Sequence, residues 1–327
     1  MVSTGPSPAP PIGSAPPVPD QIATFALAHL AGDPGWRRPV LVEQELLILT
    51  SRGHGDAEVD FHLLPCRPGT LLRVRAGQVL RCAGPQFDAT VVSWDPAALR
   101  GFDVDLDAPV TWRQLAGEDE DAVITEVSQL AVDCQRHADG RAARALLRHQ
   151  LAVLLLRLTV AGGERVTSRP EEETFHRFRQ EVERGYPRTR RVEDYAADLR
   201  CSVRTLTRAC LAVTGRSAKQ VIDERVALQA GRLLAATDQP IAQIGRRLGF
   251  SEPTNFGRFF TREVGVSPGA FRAARDQPPS GRVVRPRPPV EPSGANGGRF
   301  RPGTLGEPAN GGHSGSPTGP ARGGGRA

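Results

Sequence analysis

Apolar positions along this chain change period between its first and second halves. From Val40 to Trp94 they come in short runs: Val40–Leu49, Val59–Leu64, Leu71–Val74, Gln78–Cys82 and Ala89–Trp94. Arg67-Pro68-Gly69 and Ala76-Gly77 stand between runs as turn residues. Such runs predict β-strands, and several at this spacing predict a sandwich or small barrel. From Asp119 to His137 the period lengthens: Val123, Ile124, Val127, Leu130, Ala131 and Cys134 form one stripe of a helix. The acids Glu118 to Asp121 suit its N-terminal end, where the helix dipole favours negative charge. Asp139-Gly140 marks a turn, and Gly140 to Val160 reads as a second helix. Its core, with Leu146, Leu147, Leu151, Leu154, Leu155 and Leu158, is too apolar for one packing face. A symmetric dimer through this helix pair is expected, with Leu151 and Leu155 as its test positions. A helix simply packed on its own barrel is the alternative.

The helical period returns after residue 173, in two related copies. Ala196, Leu199 and Ser202 match Gly245, Leu248 and Ser251 at an offset of 49. Leu206, Arg208, Gly215 and Ser217 match Phe256, Arg258, Gly265 and Ser267 at an offset of 50, so one residue is inserted. Each copy has the grammar of a helix-turn-helix. Ile241, Ile244 and Leu248 fall on one face of a short helix, and Gly249 ends it in a left-handed turn. Ser251 is expected to cap the next helix, which Phe256 and Phe260 bury against the first. In the upstream copy Tyr195, Ala196 and Leu199 form the packing face, Ser202 caps, and Leu206 and Cys210 anchor. Between the copies, Ser217 is expected to cap a helix running through Ala236, with Ile222, Val226, Leu233 and Leu234 on its buried side. Two units on one basic segment imply a partner touched twice, most simply duplex DNA. The outward positions are then the reading residues, Arg204, Thr207 and Arg208 for one half-site and Thr254, Asn255 and Arg258 for the other, and the capping Ser202 and Ser251 are counted with them as DNA-binding. Arginine pairs with guanine and asparagine with adenine in a major groove.

At these residues the chain resembles the AraC family of bacterial transcription regulators. Ile241, Ile244, Gly249, Phe250, Phe256, Arg258, Phe260, Gly265, Pro268 and Arg272 match that family's signature, and the resemblance runs from about Phe175 to Ala274. It implies an all-α domain of two helix-turn-helix units held by one long helix, entering successive major grooves about 34 Å apart. Three departures stand out: Gly245 where the family favours Ala, Thr261 in place of Lys, and Cys210 in place of Phe. The run from Leu63 to Arg81 is similar to the small cupin-like jelly roll that many family members carry, with Leu80 where related segments often have His. In that family a helical pair after the jelly roll forms a dimer interface. The resemblance thus implies a multidomain α+β chain: a β jelly roll with a helical pair, then an all-α DNA-binding domain.

Charge agrees with this division. Residues 170 to 275 hold 19 Lys plus Arg against 13 Asp plus Glu, residues 1 to 169 hold 16 against 20, and residues 276 to 327 hold 7 against 3. Positive charge therefore gathers where phosphate would be met. The expected organisation is a Pro-rich tail over 1–19, a cupin-like domain over 20–117, the helical pair over 118–161, a linker over 162–172, the DNA-binding domain over 173–275 and a Gly/Pro/Arg-rich tail over 276–327. Five scattered cysteines, no signal-peptide pattern and no apolar run of 18 residues predict a reduced, cytoplasmic protein off the membrane. His29, His54 and His62 form no H-x-H pair, so no metal or cofactor is expected. Arg73, Arg75, Arg81, Trp94 and His62 are candidates to line the barrel around a small organic effector. The expected partners are promoter DNA, RNA polymerase and a second copy of the chain. A regulator whose first domain only dimerises stays open as an alternative. An enzyme fused to a DNA-binding module is disfavoured, since no G-x-S-x-G, phosphate loop or ligand cluster is present.

Overall fold

The computed structural model describes residues 21–30, 35–83, 87–104, 112–136, 140–161 and 169–276. Both expected tails, apart from Asp276, lie outside the described residues, as do 162–168 of the linker and Asp139 of its turn. Everything described falls in one unit, Met1–Pro292.

The first part is a sandwich of two antiparallel sheets. One sheet runs in the order β1 (Ile22–Ala26), β8 (Phe87–Trp94), β3 (Glu45–Gly53), β6 (Thr70–Val74), β9 (Trp112–Gln114). The other runs β2 (Val40–Leu41), β7 (Val79–Ala83), β4 (Gly55–Val59), β5 (His62–Cys66). Alternation along each strand sorts the side chains. Leu46, Ile48, Leu72, Val74, Ala57, Val59, Leu80, Cys82 and Val91 share the core between the sheets. Gly55 is required there, because a Cβ would stand 2.7 Å from the Phe87 ring.

The helices α1 (Glu118–Arg136) and α2 (Arg141–Ala161) cover the outer face of the five-stranded sheet. Leu47, Leu49, Leu71, Val92 and Trp94 meet Val123, Val127, Leu130, Leu151, Leu154 and Leu158 in a second core. Two polar contacts also tie the pair: Gln129 and Gln150 both donate to buried Asp133, at 2.9 and 2.6 Å.

The helical part follows as α3 (Pro170–Gly185), α4 (Val192–Asp198), α5 (Val203–Thr214), α6 (Ala218–Ala236), α7 (Ile241–Arg247), α8 (Pro253–Val264) and α9 (Pro268–Arg275). Ser217 caps α6 as expected, accepting from the Gln220 amide in a capping box. From Val226 to Ala235 every residue of α6 is buried. A helix covered on all sides lies inside the molecule, and α6 is the axis around which the others pack.

Several expectations are corrected. The run Val59–Leu64 is not one strand: β4 ends at Val59, Asp60 and Phe61 turn the chain, and β5 begins at His62. The apolar stretch Val40–Leu49 is likewise two strands. Pro170 to Glu172, read as linker, form the first turn of α3. Arg73, Arg81 and Trp94 do not line the sandwich interior. Arg73 lies on the outer face, 3.3 Å from Glu45; Arg81 pairs with Glu58 on the outer face of the other sheet; and Trp94 packs beneath the helix pair. Arg75 lies beyond the end of β6, and only His62 shares the face of Leu64 and Cys66.

Candidate nucleic-acid interface

The two helix-turn-helix units are α4–α5 and α7–α8. Each first helix has 7 residues and each second helix 12. Each first helix ends in a Schellman-type turn. Arg200 takes the left-handed position in one (φ 52°) and Gly249 in the other (φ 79°). The next amide reaches back five residues in both, Cys201 to the Ala196 carbonyl and Phe250 to the Gly245 carbonyl. Cys201 and Phe250 are therefore equivalent, and the inserted residue is Ser251.

That insertion corrects the expected cap. Ser202 caps α5, its hydroxyl accepting from the Thr205 amide at 3.0 Å. In the second unit the capping position falls to Glu252, whose side chain makes no cap bond. Pro253 follows at the first helical position, where a missing N–H costs nothing and the fixed φ suits the helix. Ser251 stands exposed one residue earlier. Both second helices then end at a left-handed glycine, Gly215 and Gly265. Each glycine is followed after one residue by a capping serine, Ser217 and Ser267.

The units bury the same positions with different side chains. Leu206, Ala209 and Cys210 are buried in α5; Phe256, Phe259 and Phe260 are buried in α8. The ring of Phe250 lies 5.3 Å from that of Phe256 and 5.0 Å from that of Phe259. Arg190, just ahead of α4, stacks 3.8 Å above Phe250 and donates to the Gly249 carbonyl, joining the first unit to the turn of the second. Burial lowers the affinity of this guanidinium for its proton, yet arginine stays charged. Gly245 has a packing reason: a Cβ there would lie 3.1 Å from Phe256. Gly185 has a similar one, with the Tyr195 ring 2.8 Å from where its Cβ would be.

The expected reading residues lie on the uncovered sides. Ser202, Arg204 and Arg208 are exposed and Thr207 is half-buried; Ser251, Thr254, Asn255 and Arg258 are all exposed. Arg208 approaches Glu171 of α3 at 3.7 Å. A shallow groove on the second unit is lined by Thr254, Gly257, Arg258, Thr261, Ser267 and Pro268. Nothing lies within 4 Å of a Cβ at Gly257, so this side of α8 is open to close approach. Sequence reasoning passed over Arg200, Arg246 and Arg247, exposed at the ends of the two first helices; their placement near the turns was the available signal. Among the described residues no group of three or more His, Cys, Asp or Glu is gathered as metal ligands would be. No described helix is long and apolar enough to cross a membrane.

A family model for a helix-turn-helix domain matches residues 195–274. The chain is similar to the HTH-type transcriptional activator RhaS of Enterobacter sp. (strain 638), with 27% identity over 154 residues, 47% of this chain and 53% of that protein. It is also similar to the arabinose operon regulatory protein of Escherichia coli (strain K12), with 42% identity over 55 residues, 17% of this chain and 18% of that protein. Among solved structures it is similar to ToxT from Vibrio cholerae O395 at 12% identity and a TM-score of 0.41, over 77% of this chain and 96% of that one. The chain spans about half the length of the RhaS relative it matches, 53%. The matched segment runs from Tyr195 in α4 through most of α9, so this part of the chain is a helix-turn-helix domain of the AraC type.

Proposed function

We propose that this chain is a sequence-specific DNA-binding regulator of transcription. One observation carries the reading: α5 and α8 bury the same three positions and leave the same outward positions exposed, Arg204 and Arg208 in one, Thr254 and Arg258 in the other. Arg204, Thr207 and Arg208 would read one half-site and Thr254, Asn255 and Arg258 the other. Ser202 and Ser251, exposed just ahead of α5 and α8, are included among the DNA-binding residues of this reading. Residues 20–161 would form the regulatory part and 173–275 the DNA-binding part. No catalytic step is assigned, as the matched relatives are named as regulators. RNA polymerase is the further partner that an activator would require.

Gel-shift titration of the full chain on duplexes selected from random sequence tests the reading. Affinity should fall steeply with salt. Arg204→Ala should cost about 1–3 kcal/mol on the selected site and relax one base position. Equal weakening on every sequence would reduce Arg204 to a phosphate contact, and no shift on any duplex would end the proposal.

A homodimer through α2 belongs to the same reading, with different residues from those the sequence suggested. Leu151 and Leu155 are inside the second core, at 0% and 5% exposure, so a charge there would break the fold rather than a dimer. Leu146, Val153, Leu156 and Val160 stand exposed instead. Three of them are seven apart and Leu156 falls between, the spacing of a two-helix seam. Val153→Glu and Leu156→Glu should each turn a dimer into monomers in sedimentation; a wild-type chain that is monomeric at micromolar concentration removes the dimer.

Regulation without a ligand is favoured by one feature. Among the described residues the core between the sheets is built of buried apolar side chains, and of the five candidates for its lining only His62 shares their face. Native mass spectrometry of the purified chain decides this, since a co-purifying organic molecule would restore the effector.

A further inference from the structure

The hairpin turn between β4 and β5 is unusual in itself. Asp60 and Phe61 both have positive φ, 47° and 70°, as in a two-residue type I′ turn. That turn favours Asn-Gly or Asp-Gly, because its second residue is best left without a Cβ. A phenylalanine at such a position is an outlier held in place by its surroundings. The surroundings are the DNA-binding part. Phe61 is 1% exposed and belongs to the core of the helical region. Its ring meets Phe271 of α9 edge-on at 5.4 Å. A Cβ on Gly231 of α6 would stand 3.2 Å from it, so the glycine admits the ring. The Arg275 guanidinium lies 4.6 Å above it.

Charge locks the same turn. Asp60 accepts two bonds from Arg232 of α6, Nε at 2.8 Å and Nη2 at 2.6 Å, while Gln78 Nε2 and the Val79 amide hold the carboxylate from its own sheet. Beside it Glu58 is shared by Arg81 of the sheet and Arg275 of α9, all three buried. Two guanidinium groups on one carboxylate leave Arg81 Nη1 with no hydrogen-bond partner among the described residues. The contact therefore combines a tight fit with backbone strain and an unsatisfied donor, which sets it apart from a plain core. Its targets matter as much: α6 joins the two helix-turn-helix units and α9 closes the second. The outward residues of α5 and α8 stay exposed with the contact made.

We propose that Asp60 and Phe61 are positioning residues for DNA binding: the turn is a latch by which the sheet region holds α6 and α9, and with them the two units, in the arrangement that reads both half-sites at once. This rests on the DNA-binding function proposed above. Because the reading faces are clear when the latch is closed, the closed form is the binding form, and opening the latch weakens the joint grip of the two units.

The double variant Asp60→Asn, Phe61→Gly tests this in the full chain. Asn-Gly is the preferred sequence for the turn, so the hairpin is kept while the ring and the bidentate charge are removed. Hydrogen exchange over 226–236 and 268–275 should accelerate in the variant. Affinity for a duplex selected by the wild-type chain should fall about tenfold, through a lower effective concentration of the second unit. Affinity for the same duplex with one half-site scrambled should not change. Phe61→Tyr, which keeps the ring, should restore most of the lost affinity when Asp60 is retained. Unchanged exchange would overturn the latch. Faster exchange with unchanged affinity would overturn its positioning role, as would an equal loss on the scrambled duplex. A wild-type chain that shifts no duplex would instead overturn the DNA-binding reading itself, and the latch's role with it.

Discussion

Cys210 and Phe260 occupy the same point in the two helix-turn-helix units, and both are fully buried. One is a thiol; the other is a ring that meets Phe256 at 6.0 Å and Phe271 at 5.4 Å. The contrast runs through both units. The first closes its turn with Arg200 in a left-handed conformation and caps its second helix with the Ser202 hydroxyl. The second uses Gly249, inserts Ser251, and starts its helix with Pro253 and no cap bond. It replaces hydrogen bonds by four phenylalanines, Phe250, Phe256, Phe259 and Phe260. The same burial pattern can thus rest on local polar chemistry or on aromatic packing, and the two should fail differently.

The widest gap between the units is expected at their shared anchor. Phe260→Ala should cost about 3–5 kcal/mol, the loss of a buried ring and the cavity it leaves. Cys210→Ala removes one methyl-sized group and should cost about 0.5–1.5 kcal/mol. Urea denaturation of the full chain measures both. Equal losses would show that the first unit depends on its thiol for more than volume.

High pH should separate the units next. Tyr195 anchors the first; its equivalent in the second, 49 residues on, is Ile244, which does not titrate. Burial pushes the Tyr195 phenol up from 10 to about 12, and its hydroxyl donates to the Thr189 carbonyl at 3.0 Å. Below pH 10 the phenol is protonated in both the folded and unfolded chain, and its contribution is complete. Between 10 and about 12 only the unfolded chain releases the proton, so stability falls as pH rises through that window. Tyr195→Phe should start less stable at neutral pH and decline less from pH 9 to pH 11.5 in urea titrations. A variant that declines as steeply as the wild-type chain would place the sensitivity elsewhere.

Capping gives a smaller contrast. Ser202→Ala should cost about 1 kcal/mol by leaving the first amides of α5 unpaired. Ser251→Ala should change stability by no more than about 0.5 kcal/mol, because an exposed residue outside the cap makes little difference. Thermal melts of the two variants compare them directly, and a large loss at Ser251 would restore it as a cap.

The units also show what the sequence can reveal. The framework of the helical half was legible because turn glycines, capping serines and apolar residues act within a few positions of one another. Gly215, Ser217, Gly249 and Gly265 do the work their local pattern suggests. The helix pair was legible for the same reason. Ser251 misled because two serines at an offset of 49 look equivalent until Pro253 is seen to set the start of α8. The strands β6 and β7 were found beside the turns at Gly69 and Gly77, but β4 was missed although Gly53 precedes it and Gly55 begins it, and the hairpin turn at Asp60-Phe61 carries no glycine. Arg225 and Arg232 stand among apolar residues along α6. Arg232 is buried by Asp60, a carboxylate 172 residues away, and no local pattern announces such a partner. Of the residues proposed to read DNA, all but the half-buried Thr207 are exposed, as expected when Leu206 and Phe256 are buried on the opposite side.

The smallest contrast is in the backbone at the turns. Arg200 holds φ 52° where the second unit has Gly249 at 79°. A left-handed conformation costs a residue with a side chain roughly 1–2 kcal/mol. Glycine avoids that cost but gives up roughly 0.5–1 kcal/mol more chain entropy on folding. Arg200→Gly should therefore raise stability by about 0.5–1 kcal/mol, and Gly249→Ala should lower it by a similar amount. Space is not the issue at Gly249, since an added Cβ would lie 3.7 Å from the Pro187 carbonyl, an ordinary contact. The pair isolates conformation from packing. Calorimetric melts of both variants, paired with gel shifts, complete the comparison. A gain in stability for Arg200→Gly with weaker DNA binding would mean that the first unit keeps a strained arginine because its guanidinium touches the duplex. A loss of stability would show that Arg200 supports the fold through its side chain, and the two turns would then differ in kind.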